Sequence, residues 1–388
     1  MRTIRTAALA AALAASPALA RDMEDMEGVM TQAGGWHLMA HGIVNAVFDH
    51  QGGPRGAEDT FSNSMLMGMA SRPLAAGELE LHAMLSLDPA MGKGGYPLLF
   101  QTGETADGVT TLVDRQHPHD FFMELSAAYT VPLGENASAF VYGGLPGEAA
   151  LGPPSFMHRF SGERIPEAPL THHWLDSTHV TMGVVTLGAS QGPVTVDASA
   201  FNGREPDQFR WNIETRPFDS WSARLTWNLA TSLSLQASYG YLASPEELEP
   251  DLSVRRSTAS AIYTTEIDGA KWGTTLAWGR NDKRSPESAK KLDGWLLESA
   301  LEVSARHTAF VRAEQVNNDE LFAAPDPRAG QAMKVGKVSL GYIHDFARTG
   351  PVRWSVGAHA SAFRVPSDAA SAYGSHPSAY MVFLQARL

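Results

Sequence analysis

The sequence predicts an all-β chain, a transmembrane antiparallel up-and-down β-barrel of about sixteen strands, with fourteen to eighteen as the bounds, from three observations. Apolar and polar residues alternate with a period of two along most of the chain, tight connections interleave with long ones, and the final segment carries the same alternation to the last residue. A strand in a barrel wall meets lipid on one side and a polar interior on the other, so every second residue must be apolar.

In chain order, residues 1–20 read as a secretory signal peptide. Arg2 and Arg5 form a basic start, Ala7–Ala15 an Ala/Leu run and Ala18-Leu19-Ala20 a small-residue cleavage site. Residues 21–35 read as a short periplasmic N-terminal segment, acidic and Met-containing, and residues 36–388 as the outer-membrane β-barrel. Over 36–50, Trp36, Leu38, Ala40, Gly42, Val44, Ala46 and Phe48 oppose His37, Met39, His41, Asn45 and Asp49. Over 77–87 a leucine row (Leu79, Leu81, Leu85, Leu87) opposes Glu78, Glu80, His82 and Ser86. Further strands are expected over 61–70, 121–131, 137–145, 179–189, 194–202, 221–229, 233–241, 256–266, 271–278, 292–303, 308–317, 333–344 and 352–363. In the last, 379–388, Tyr380, Val382, Leu384, Ala386 and Leu388 share one face.

Trp221 and Trp227 share a strand face, as do Trp272 and Trp278. Six residues of strand span about 20 Å, which suits a ring near each interface of a bilayer. Tight connections at 190–192, 230–232, 268–269 and 304–306 alternate with long ones at 88–118, 146–178, 203–219, 318–331 and 364–378. That asymmetry suits short periplasmic turns and long outer loops, with both termini in the periplasm. A soluble sandwich or propeller also alternates, but it needs no Trp at both ends of its apolar rows, and no fixed motif repeats here.

The expected location is therefore the outer membrane of a Gram-negative bacterium, reached by export. The Ala/Leu run of the leader is too short for a spanning helix, which needs roughly 17 to 25 apolar residues, and mean hydropathy (−0.18) is uninformative for a barrel. The absence of Cys excludes a disulfide framework and any thiolate metal site. Losing Arg2 and Arg5 with the leader takes the formal charge from −12 to −14. With no basic stripe to meet phosphates, nucleic acid is excluded as a partner.

The leader, the hairpin ladder and the terminal Tyr380-x-Val382-x-Leu384-x-Ala386-x-Leu388 resemble Gram-negative outer-membrane barrels of porin-like size over nearly the whole mature chain. Many of that class end in Phe, whereas this chain ends in Leu388, a departure from the insertion signal that the barrel-assembly machinery reads. The stretch Asp114–Leu125 is similar to one found in an uncharacterised group of such barrels. The resemblance implies a fold, a location, outer-membrane lipid and the assembly machinery as partners, and homo-oligomerisation as an option.

The densest polar constellation is Asp114, Arg115, His117, His119 and Asp120. An extended His-x-His pair places both imidazoles on one side, so His117 and His119 are candidate metal ligands with Asp114, Asp120 or Glu124 completing the shell; the competing reading is a hydrogen-bonded network that holds a folded-in loop. A second cluster, His172 and His173 with Asp176, His158 and His179, lies in the other long loop, and the two loops together would make a His-rich mouth. His37, His41, His82 and His359 are expected on the lumen side. Met23, Met26 and Met30 suit either a plain amphipathic leader or Cu(I) capture, and the alternating Met65, Met67 and Met69 are expected as lipid or wall contacts. Ser155, His158 and Glu163 can be drawn as a rim hydrolase set, but no G-x-S-x-G frames Ser155.

The expected interior lining is Glu78, Glu80, His82, Asp120, Glu124, Arg224, Lys271, Glu298, Glu302, Arg312, Glu314 and Arg353. Passive passage of small polar solutes or ions, with mild cation preference, is the expected function, without enzymatic activity or a resident cofactor. Transition-metal binding or transport, copper for example, and rim hydrolysis of lipid or peptide are the alternatives.

Overall fold

The computed structural model describes residues 28–388. The signal peptide, Met23 and Met26 lie outside the described residues. Nineteen strands follow: β1 (Val29–Ala33), β2 (Trp36–Gln51), β3 (Glu58–Leu74), β4 (Gly77–Leu85), β5 (Tyr96–Thr105), β6 (Thr111–Gln116), β7 (Phe122–Gly134), β8 (Ala137–Gly144), β9 (Val184–Gln191) and β10 (Val194–Phe201). The rest are β11 (Ser220–Ala230), β12 (Leu233–Ala243), β13 (Ser253–Ile267), β14 (Ala270–Arg284), β15 (Ala289–Ser304), β16 (His307–Asn318), β17 (Met333–Thr349), β18 (Val352–Arg364) and β19 (Ser378–Arg387).

Sixteen of these form one antiparallel sheet in which each pairs with the next, and β19 returns to β2 with Ala379 opposite Gln51 and Arg387 opposite Ile43. Closure leaves the wall no free edge. All sixteen segments expected from the alternation are found, many of them longer than the pattern alone marks. β1 is additional: it lies against Trp36–Ala40 of β2, where the segment before Trp36 was expected to carry no strand. The hairpin β5–β6 is also additional and sits within the expected long loop 88–118.

At one end of the barrel the hairpins close through two-residue turns. Asp268 (φ 52°) and Gly269 (φ 83°) both take the left-handed conformation, the geometry whose twist matches the strands it joins. The other end carries the long connections. Trp221, Trp227, Leu276, Trp295, Leu297, Leu340, Val382 and Leu384 are exposed on the outer face, while their sequence neighbours Ser222, Thr226, Thr275, Leu296, Met381 and Phe383 are buried inside. This is the period of two expressed as a lipid-facing skin and an inward face.

The lumen is filled rather than hydrated throughout. The connection between β8 and β9 turns into the barrel, and from Ala149 to Met182 every residue except Pro154, His158 and His173 is fully buried. His179, expected at the start of a strand, belongs to this inserted segment, since β9 begins at Val184. Apolar side chains of the segment and of the β5–β6 hairpin (Leu98, Phe100, Phe160, Ile165, Leu170, Trp174) pack against inward wall residues such as Leu292, Leu296, Phe310 and Phe383, and this contact surface is the core. Small wall residues make the room. Gly279 and Gly294 face each other in register, and a Cβ on Gly294 would come within 2.8 Å of the Trp174 Cβ.

Candidate functional site

Charge decides where the inserted segment docks. Arg159 Nε donates to Glu298 Oε1 at 2.7 Å and its Nη1 to Asp176 Oδ2 at 2.7 Å, while Arg312 Nε reaches Glu298 Oε2 at 3.1 Å. Arg164 donates to Gln385, Thr308 and Ser355 at 2.9–3.0 Å and pairs with Asp345. Glu167 pairs with Lys337 at 2.6 Å, and Glu163 with Arg387 at 3.4 Å. Buried charges are tolerable only when paired in this way, so each pair fixes a register between segment and wall.

These contacts also locate the expected lining. Glu80, His82, Glu298, Arg312 and Glu314 are buried inside the barrel, and Arg224 lies on Asp197 at 2.8 Å. Lys271 sits over the Phe160 ring of the inserted segment, and Glu302 lies between Arg164 and Arg387. Glu124 accepts from Ser126 Oγ and Tyr142 OH. Glu78 is half-buried on β4, and Arg353 stands opposite Arg387. Asp120 sits apart from the wall, in the connection before β7, where Arg210 Nη1 donates to it at 3.1 Å.

Of the proposed ligand set Asp114, His117, His119 and Asp120, the last three border one small cavity without being placed to hold an ion, and Asp114 lies elsewhere. Asp114 turns to Arg55 (2.8 Å), the Phe100 amide and the Tyr373 hydroxyl. The two imidazoles part because the backbone at 117–120 is not a regular strand: His117 stacks on His173 (centroids 5.6 Å apart) and faces Glu104 at 3.2 Å, whereas His119 faces Asp88 and His179. Likewise Ser155 is wholly buried in the lumen rather than placed at a rim, and Glu163 is held by Arg387.

What the two long loops do bring together is a histidine cluster. A cavity of about 20 Å³ is bordered by His117, His119, His172, His173 and His179, with Glu104, Asp120, Glu205 and Arg210 around it. Rings of His119 and His179 are 5.5 Å apart, those of His172 and His179 5.0 Å. Each of the three has its Nδ1 engaged: His119 with Asp88 Oδ2 (3.0 Å), His172 with Asp176 Oδ1 (2.8 Å) and His179 with the Asp176 carbonyl (2.9 Å). Such partners accept a hydrogen bond from Nδ1–H and so leave Nε2 as the unprotonated nitrogen. The Nε2 atoms of His119 and His179 are buried without a partner.

Burial, and then the neighbouring imidazoles, push His117 and His179 well below the usual histidine range, and burial pushes His173 down as well. These rings are neutral near pH 7. Burial opposes ionisation of Asp176, but Arg159 and the His172 hydrogen bond outweigh it and hold the carboxyl well below its usual range. The roof of the cavity comes from the 202–219 connection, where Arg210 pairs with both Glu104 and Asp120. Asp176 was seen beside His172 in the sequence, whereas Asp88, Glu104 and Arg210 went unnoticed as parts of a site, since each lies on a different stretch of chain, away from the histidines in sequence.

A methionine face adjoins the cluster. Met65, Met67, Met69, Met84, Met123, Met157 and Met182 are buried together, with Met39 packed against them. Met65, Met67 and Met69 therefore point inward and do not meet lipid. A second cavity of about 50 Å³, bordered by Met65 and Met157, shares His117 and His119 with the first.

No family model and no curated protein matches the sequence. Among solved structures the chain is similar to an anion-selective porin from Comamonas acidovorans (TM-score 0.54, 10% identity, 91% of this chain and 100% of that one). It is similar also to OmpF of Salmonella typhi, in a complex with daunomycin (TM-score 0.56, 9% identity, 93% and 100%), and to OprB of Pseudomonas putida (TM-score 0.55, 10% identity, 91% and 94%). A closed barrel with an apolar skin is the architecture of a transmembrane β-barrel. The chain thus has the sixteen-stranded fold of the Gram-negative outer-membrane porins.

Proposed function

We propose that this protein is an outer-membrane conduit of restricted bore, passing small ions, cations in preference, rather than a general diffusion pore. The observation that carries the reading is the inserted segment, whose buried pairs with the wall (Arg159–Glu298, Arg164–Asp345, Glu167–Lys337) occupy the space through which solutes would diffuse. The cation preference is supported by Glu78, Glu80 and Glu124 on the inward faces of β4 and β7, away from the arginines that neutralise Glu298 and Glu302.

Planar-bilayer recording is the test. The expected result is a small conductance with a cation-directed reversal potential in a salt gradient. A large, steady conductance of the wild-type protein, or an anion-directed reversal potential, would count against it.

A further inference from the structure

Three histidines from two different loops, His119, His172 and His179, present a geometry that the conduit reading leaves unused. Their Nδ1 atoms are each tied to a carboxylate or carbonyl, the arrangement that orients an imidazole for binding through Nε2. Leaving Nε2 of His119 and His179 buried without a partner is costly unless a ligand completes them. Around a tetrahedral ion held by Nε2 at about 2.0–2.1 Å, imidazole centres lie about 5 Å apart. The observed spacings of 5.0 and 5.5 Å agree. Among the described residues no group of three such side chains is placed to hold an ion as it stands, so binding requires the rings to turn toward the common cavity about their Nδ1 hydrogen bonds.

The second, independent observation is the methionine face. Seven of the ten buried residues in that cluster are Met, from β3, β4, β7 and the inserted segment, so the clustering follows no single strand's pattern. It meets the histidines through Phe156, which lies against His119 and His172, and through the cavity shared at His117 and His119. Thioethers are soft ligands that select Cu(I), whereas imidazole takes Cu(II) and Zn(II). Copper is the metal that both surfaces suit.

We propose that His119, His172 and His179 form a copper-binding site in the lumen, with the Met65–Met67–Met69 face beside it as a soft surface for the same metal. The site is independent of whether ions cross the barrel, so it is tested by binding in detergent rather than by conductance. Isothermal titration with Cu(II), Zn(II) and, as a redox-inert stand-in for Cu(I), Ag(I) is expected to give saturable binding near one Cu(II) per chain, with imidazole nitrogen couplings in the Cu(II) EPR spectrum. The His119→Ala/His179→Ala variant is expected to lose it. Asp176→Asn, which removes a partner of the ligands and not a ligand, is expected to weaken Cu(II) about 10- to 100-fold. Met65→Leu/Met67→Leu/Met69→Leu, nearly neutral in volume, is expected to weaken Ag(I) and leave Zn(II) unchanged. Heat-modifiable gel mobility reports whether each variant is a folded barrel, and His179→Gln serves if the double variant is not. Absence of saturable Cu(II) binding by the wild type, or undiminished binding by the histidine variants, overturns the site; undiminished Ag(I) binding by the methionine variant overturns the copper preference.

Discussion

Arg159 and Glu298 meet at 2.7 Å with both side chains wholly shielded from solvent, one on the segment that enters the barrel and the other on strand β15 of its wall. Removing Arg159 leaves Glu298 to Arg312 and Asp176 to His172, with one buried negative charge uncompensated between them, at a cost of up to about 3–5 kcal/mol. Arg159→Ala is therefore expected to loosen the inserted segment without opening the strand ladder. Bilayer recordings should show larger and noisier conductance than the wild type, while circular dichroism still reports an intact barrel. An unchanged conductance would mean that this pair does not retain the segment.

Acid should have a similar effect through Asp176. Its carboxyl titrates below its unfolded value of about 3.9, because Arg159 and His172 outweigh its burial. A depressed acid contributes its full stabilisation above the unfolded pKa and loses it as the pH falls toward the folded one. The inserted segment is expected to hold at pH 7 and to loosen below about pH 4, seen as a rise in conductance. Asp176→Asn, which cannot ionise, should already be loosened at pH 7 and should show a smaller acid step.

Trp174 occupies the space that Gly279 and Gly294 leave in the wall, with its Nε1 donating to the Leu292 carbonyl at 3.1 Å. A Cβ on Gly279 would stand 2.1 Å from the Trp174 carbonyl oxygen, a backbone atom with little freedom to move. Gly279→Val is expected to cost about 1–3 kcal/mol by overpacking and to raise protease susceptibility around Trp174. The same change at Gly269, where no atom stands within 4 Å of a Cβ, meets no such clash and should differ in its effect, acting through the turn's positive φ alone.

Neighbouring residues on β19 face opposite surroundings, with Val382 45% exposed and Phe383 1%. An arginine on the lipid face near mid-membrane costs about 2–4 kcal/mol. Val382→Arg is expected to lower stability by that amount in urea unfolding from lipid vesicles. Val382→Leu should be near neutral. Equal stability of the Arg variant in lipid would place this face against water or protein.

The sixteen wall strands, their inward and outward faces and the alternation of tight and long connections were legible in the sequence. Each follows from a local rule: a strand between two solvents needs a period of two, and a two-residue hairpin needs residues tolerant of positive φ, as at Asp268-Gly269. β1 and the β5–β6 hairpin were missed, since β1 is five residues long and exposed throughout, β5 is buried at every position, and neither separates lipid from water. Met65, Met67 and Met69 were seen to share a face, but methionine suits either side, and periodicity does not say which.

The sequence by itself thus determined the wall, because a membrane imposes its two solvents residue by residue. Only the tertiary structure decided that the 145–183 connection enters the lumen, that Arg159, Arg164 and Glu167 find their counter-charges on distant strands, and that His119 meets His172 and His179. Those partners are brought together by closure of the sheet and by the need to pair every buried charge, constraints that act across the whole chain and leave no mark in any local window.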